Sequence, residues 1–164
     1  RILDDMAEWL ERIDAKIITG DTKVVESNIG IAANTSGIGL RNQYLERNIE
    51  IVREYRSYPY SWVRDCGLGE GDVIIITGNI AEHATAVMAT REEFGFELDV
   101  ESDVYPVWLF LKHALNTGGI TAMKDPTRGG VAAALNEIAE KSGVGVIVEE
   151  ERIPIRESVK SFCD

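Results

Sequence analysis

Short segments of this chain combine carboxylate, basic and glycine residues in ways that suit phosphate and metal chemistry. Gly20-Asp21-Thr22-Lys23 follows an apolar run. A carboxylate at a strand end can hold Mg2+, which binds through one or two protein carboxylates plus substrate phosphates. The lysine beside it can neutralise phosphate charge or serve as acid or base. The same residues also make a good type I turn. Further on stands Met123-Lys124-Asp125-Pro126-Thr127-Arg128-Gly129-Gly130. A loop of this kind between strand and helix aims backbone N–H groups and a positive helix end at an anion, and glycines let the anion come close. Asp125 could reach a metal and Arg128 a phosphate. The spacing is not that of a Walker A loop. An Asp-Pro turn followed by glycines for close packing reads equally well.

His83, in Thr77-Gly78-Asn79-Ile80-Ala81-Glu82-His83, falls in the first turn of an expected helix. There it could shuttle a proton or touch an anion, or simply be a surface histidine. His113 sits in an apolar helical pattern and reads as a packing residue. Cys66 and Cys163 have neither metal-ligand spacing nor the density of a disulfide scaffold, so a reducing cytoplasm is the default. Cys163 near the chain end could be a nucleophile, but its spacing from Val159 and its neighbour Phe162 suggest a packed thiol. Cys66, in a glycine-rich loop, reads as exposed.

The elements that must carry these groups follow from periodicity. Leu3, Met6, Ala7, Leu10 and Ile13 recur at helical spacing over 2–14. Ala15–Thr19 and Ile29–Gly37 read as strands. Residues 41–64 carry five Arg against three Glu, and four of the chain's five Tyr. Leu45, Ile49 and Val52 could stripe one face of a helix there. A basic, aromatic stretch can bind nucleic acid, but with only two excess charges Arg–Glu pairing and half-buried tyrosines in a connecting segment account for it better. From Glu70 the pattern is α/β. Val73–Thr77 is a continuous apolar run of the buried-strand kind. A helix over about 81–93 follows, then a second over Val104–Leu115 with Ser102-Asp103 ahead of it as caps. Ile120–Met123 reads as a strand, Val131–Lys141 as a helix, Val144–Val148 as a strand. A last helix carries Ile155, Val159 and Phe162.

A chain of this length can bury roughly 70% of its surface as one domain. The formal net charge of −11 argues against general nucleic-acid or anionic-membrane binding. An anionic substrate would therefore need a local basic group, a helix N-terminus or a bridging cation. No window approaches the ~18 consecutive apolar residues of a membrane span.

Three segments together resemble one family. Gly-Asp-Thr-Lys-Val-Val (20–25), Ile-Thr-Gly-Asn-Ile-Ala-Glu-His-Ala-Thr-Ala-Val (76–87) and Met-Lys-Asp-Pro-Thr-Arg-Gly-Gly (123–130) are similar, in order and approximate spacing, to the HypE family of hydrogenase maturation proteins in the AIR-synthase-like (PurM-like) superfamily. The resemblance implies a mixed α/β fold. Residues 1–40 would be the end of an N-terminal ATP-binding domain, 41–70 a linker longer than usual, and 71–164 most of the C-terminal domain, with both ends of the full protein absent. It implies an ATP-dependent carbamoyl dehydratase that converts an S-carbamoyl group on its own C-terminal cysteine to S-cyanide. The cofactors would be ATP and Mg2+, and the protein a homodimer served by HypF and the HypC–HypD complex. On this basis Asp21 is the expected metal ligand, and Lys23 and His83 the catalytic residues. Thr22, Asp125, Thr127, Arg128, Gly129 and Gly130 are the expected nucleotide contacts. Cys163 would not be the nucleophile. Rival readings are another ATP-dependent enzyme of the superfamily and a non-catalytic module that docks maturation partners.

Overall fold

The computed structural model describes residues 1–26, 28, 30–90 and 100–163. Its core is built around a helix in the basic, aromatic stretch. Asn42 starts that helix by accepting the amides of Tyr44 and Leu45 on its side-chain oxygen, both at 3.1 Å. With α1 at Ile2–Glu11, this second helix, α2, is Gln43–Tyr55. Leu45, Ile49 and Val52 recur at helical spacing and are buried, with Val52 fully so, and Tyr58 closes the cluster. Burying Ile49 or Val52 is worth about 1.5–3 kcal/mol each. The stripe expected from spacing therefore holds the core together. Tyr60 and Val63 pack against the stripe, and α2 as a whole lies on α4, Trp108–Thr117.

Close approach there depends on glycine. Gly118 has φ +86° after α4, and a Cβ on it would stand 2.4 Å from the Ile51 side chain. The remaining helices are α3, Glu82–Ala89; α5, Gly130–Ser142; and α6, Glu157–Cys163, with a 3-10 turn at Glu150–Arg152. Each expected helix is present, though α1 stops short of residue 14 and α4 starts later than residue 104. The end of the helix expected over 81–93 lies outside the described residues. Glu82, buried at the start of α3, pairs with Arg156 just before α6, and the Ile80 amide donates to the Pro154 carbonyl at 2.9 Å. Among the described residues no helix is long and apolar enough to cross a membrane.

The strands differ from expectation. Among the described residues the only strand-type pairing is a parallel bridge between Arg64 and Ala122, with the Met123 amide donating to the Arg64 carbonyl at 3.1 Å. The runs at 15–19, 30–37, 73–77 and 144–148 are irregular and unladdered; Ile29 lies outside the described residues. Most of their apolar side chains stay in solvent: Val73 is 83% exposed, Ile75 81% and Ile147 94%. The physical reason is that an apolar run specifies a strand only if a second run lies beside it, and ladder pairing is non-local. Among the described residues the architecture is helical with one isolated bridge, so the sheet of the α/β expectation is not confirmed here.

Candidate functional site

The loop 124–130 ends on two left-handed glycines. Gly129 has φ +75° and Gly130 φ +64°, a region open to glycine at little cost. Their environments differ. A Cβ on Gly129 would meet the Ala133 Cβ at 2.5 Å, whereas one on Gly130 would meet nothing within 4 Å. The glycine at 129 is thus needed for packing, and the one at 130 leaves open space at the start of α5. No side chain caps α5. Its first amides therefore have no side-chain acceptor, and the helix presents the positive end of its dipole. Arg128 is exposed beside it and, among the described residues, makes no ion pair or hydrogen bond.

The rest of the loop is tied within itself. The Thr127 hydroxyl donates to Asp125 at 2.8 Å, and that bond, with nearby backbone amides, holds the Asp125 carboxyl below the usual carboxylate range. Lys124 pairs with Glu137 on α5 at 2.9 Å, which likewise lowers the Glu137 carboxyl. Glu137 also lies 3.6 Å from Lys141, and Lys141 pairs with Asp65. This chain of alternating charges escaped the sequence reading. Only the Glu137–Lys141 spacing was visible there.

Asp21, Thr22 and Lys23 lie exposed on the irregular segment after α1. The Asp21 carboxylate accepts the Thr22 amide at 2.9 Å and keeps its second oxygen open. His83 is exposed in the first turn of α3, and its Nδ1 lies 2.9 Å from the Ser102 hydroxyl. Ser102 also accepts the Val104 amide at 3.2 Å, so it forms a local turn and does not cap α4. Among the described residues no hydrogen bond or ion pair joins Asp21, Thr22 or Lys23 to His83 or to the loop. Asp125, Thr127, Arg128, Gly129 and Gly130 share the one loop.

Two smaller expectations are corrected. His113 is on the exposed face of α4, because Leu115 is the residue of that helix turned to the core. Cys163 is exposed, since Val159 alone of α6 is buried, and Cys66 is half-buried. The basic stretch is internally engaged. Arg47 donates to the Asn116 carbonyl at 2.7 Å, and Arg53 to the Tyr58 and Tyr60 carbonyls at 3.1 and 3.0 Å. Arg56 clasps Asp72, while Arg41 and Arg64 lie over the rings of Trp62 and Tyr60.

The donor set fits a nucleotide in part. Arg128 and the uncapped start of α5 suit a phosphate, and Asp21 can give Mg2+ a single carboxylate oxygen, the rest of its shell coming from phosphate and water. Among the described residues no three His, Cys, Asp or Glu side chains gather into a metal cluster.

Residues 69–162 match the family model of AIR synthase related protein, C-terminal domain. A Methanocaldococcus jannaschii protein with the provisional name hydrogenase expression/formation protein is 42% identical over all of this chain and 44% of its own length. The carbamoyl dehydratase HypE of Rhizobium leguminosarum bv. viciae is 38% identical over all of this chain and 43% of its own. The protein of the same name from Escherichia coli K12 is 28% identical over 99% of this chain and 44% of its own. The chain spans less than half the length of these relatives. No solved structure matches it. With more than half of its residues inside that model, the chain belongs to the AIR synthase related family, through the family's C-terminal domain.

Proposed function

We propose that this chain is part of an ATP-dependent carbamoyl dehydratase of [NiFe]-hydrogenase maturation. The observation that carries the reading is the loop Lys124–Gly130, an open, uncapped helix start beside an arginine with no partner among the described residues. Similarity to proteins named carbamoyl dehydratase HypE along the whole chain supports it. Residues 1–40 then belong to the end of the ATP-binding domain, 41–70 to the connection and 71–164 to the C-terminal domain. The whole protein acts in the cytoplasm as a homodimer, receives a carbamoyl group from HypF on a C-terminal cysteine, and hands cyanide to the HypC–HypD complex.

In this reading Arg128 makes a forked contact with a phosphate, and the α5 amides donate to its remaining oxygens. Gly129 and Gly130 keep side chains out of that approach. Asp125, held by Thr127, keeps the turn shaped before ligand arrives, and Pro126 restricts Asp125 to extended backbone. Thr22 steadies the Asp21 carboxylate, which gives Mg2+ one ligand. Lys23 and His83 move protons to and from the carbamoyl group. When bound, ATP supplies the phosphoryl group that makes the carbamoyl oxygen a leaving group.

The test is Mg·ATP affinity in the complete gene product. Arg128→Lys keeps the charge but loses the fork. Gly130→Asn tolerates a left-handed φ yet places a side chain over the amides. Each should bind about tenfold more weakly, the worth of one charge-assisted hydrogen bond. Unchanged affinity in both, with the fold intact, would reduce the loop to a structural turn.

A further inference from the structure

The segment that delivers this loop takes its backbone partners from residues 41–72. Asn48, fully buried on α2, donates its side-chain amide to the Ile120 carbonyl and accepts the Ile120 amide, both at 2.8 Å. A single side chain thus makes the pair of bonds that a neighbouring strand would make. The Tyr58 hydroxyl donates to the Thr121 carbonyl at 2.7 Å in a buried setting. Burial lifts the Tyr58 hydroxyl above its ordinary pKa, so it remains a donor throughout the neutral range. The Thr121 hydroxyl donates to Asp72 at 2.7 Å, and Met123 takes the Arg64 carbonyl. Every one of these bonds lands on the residues immediately ahead of Lys124. Beyond them, among the described residues, the loop is oriented by the Lys124–Glu137 pair, the Asp125–Thr127 bond and the Gly129 carbonyl, which accepts the Ala133 amide at 3.3 Å where α5 begins.

We infer that Asn48 and Tyr58 are positioning residues for the anion loop: they fix the register of Ile120–Met123 and through it the direction of Arg128 and the start of α5. This rests on the nucleotide reading above. A buried amide and hydroxyl aimed at main chain on a strand-like segment hold that backbone to within a few tenths of an ångström, since bond strength falls steeply with distortion. Removing either leaves a buried carbonyl unpaired. The backbone then shifts to find another donor, and the loop shifts with it. The basic and aromatic content of 41–64 is secondary to this; the segment is a bracket for the loop.

The test is a double-mutant cycle on Mg·ATP affinity in the complete gene product, using Tyr58→Phe, which removes one oxygen atom, and Arg128→Lys. If Tyr58 acts through the loop, Tyr58→Phe weakens binding roughly three- to tenfold in the parent and by less than about twofold in the Arg128→Lys background. Equal weakening in both backgrounds would mean a general structural loss and overturn the inference. So would parental affinity in Tyr58→Phe alongside weakened Arg128→Lys, a result that leaves the nucleotide reading standing. Parental affinity in Arg128→Lys overturns this inference, and parental affinity in Gly130→Asn as well removes the nucleotide reading with it. Amide hydrogen exchange without ligand gives an independent readout. Asn48→Leu and Tyr58→Phe should speed exchange at Thr127–Val131 while leaving α1 and α3 at parental rates. Unchanged loop exchange overturns the inference.

Discussion

Removing the charge of Asp72 should cost more than any other change to an acidic side chain in the described residues. Its carboxylate receives both ends of the Arg56 guanidinium, the Gly69 amide at 2.9 Å and the Thr121 hydroxyl at 2.7 Å. The side chain is only 13% exposed and that of Arg56 26%. Hydrogen bonds to a charged group are worth about 1.5–3 kcal/mol each, but they are not additive, and asparagine keeps one accepting oxygen. Asp72→Asn should therefore lose about 2–4 kcal/mol, including the cost of leaving Arg56 half-buried and unpaired. The pH dependence follows from the carboxyl's position. Burial pushes it up, yet Arg56, Thr121 and the Gly69 amide outweigh burial and hold it below the ordinary value. A group lowered in the folded state stabilises above its unfolded pKa, and the benefit disappears as pH falls through the folded one. The gap between parent and Asp72→Asn should be full at neutrality and close below about pH 4. Urea unfolding followed by tryptophan fluorescence, at several pH values, measures it. A loss under about 0.5 kcal/mol, or a gap that ignores pH, refutes this account of the Arg56–Asp72 clasp.

Other expectations concern the glycines and the Gly20–Lys23 segment. A Cβ on Gly67 would stand 2.0 Å from the Thr121 carbonyl oxygen, so Gly67→Ala should lower the melting temperature more than Gly71→Ala, where φ is +86° but nothing lies within 4 Å. Equal losses at the two positions contradict the packing argument. In the complete gene product Asp21→Asn should weaken Mg·ATP binding. Lys23→Ala should keep that binding and lower turnover by roughly 10²–10⁴. Parental behaviour in both variants makes Gly20–Lys23 only a turn.

Helices were legible because their signal is local. The stripe Leu45–Ile49–Val52 found α2, and the glycine at 143, with φ +70°, ends α5 where expected. The strands were not, because Val73–Thr77 or Val144–Val148 names an apolar run without naming the neighbour that must pair with it. The loop 124–130 was legible as glycine, arginine and proline chemistry. Its support was not. Nothing in the spacing of Asn48 and Ile120, or of Lys124 and Glu137, announces a contact between residues so far apart in sequence. Asp21 and Lys23 show the converse, with suggestive chemistry and no bond linking them to the loop among the described residues.

The most direct test of the proposed activity is the intact mass of the complete gene product after incubation with HypF, carbamoyl phosphate and ATP. The account predicts a final species heavier than the starting protein by one carbamoyl group less one water, with the added mass on a C-terminal cysteine. A product that stops at the carbamoyl mass, or that carries its modification on Cys66 or Cys163, contradicts it.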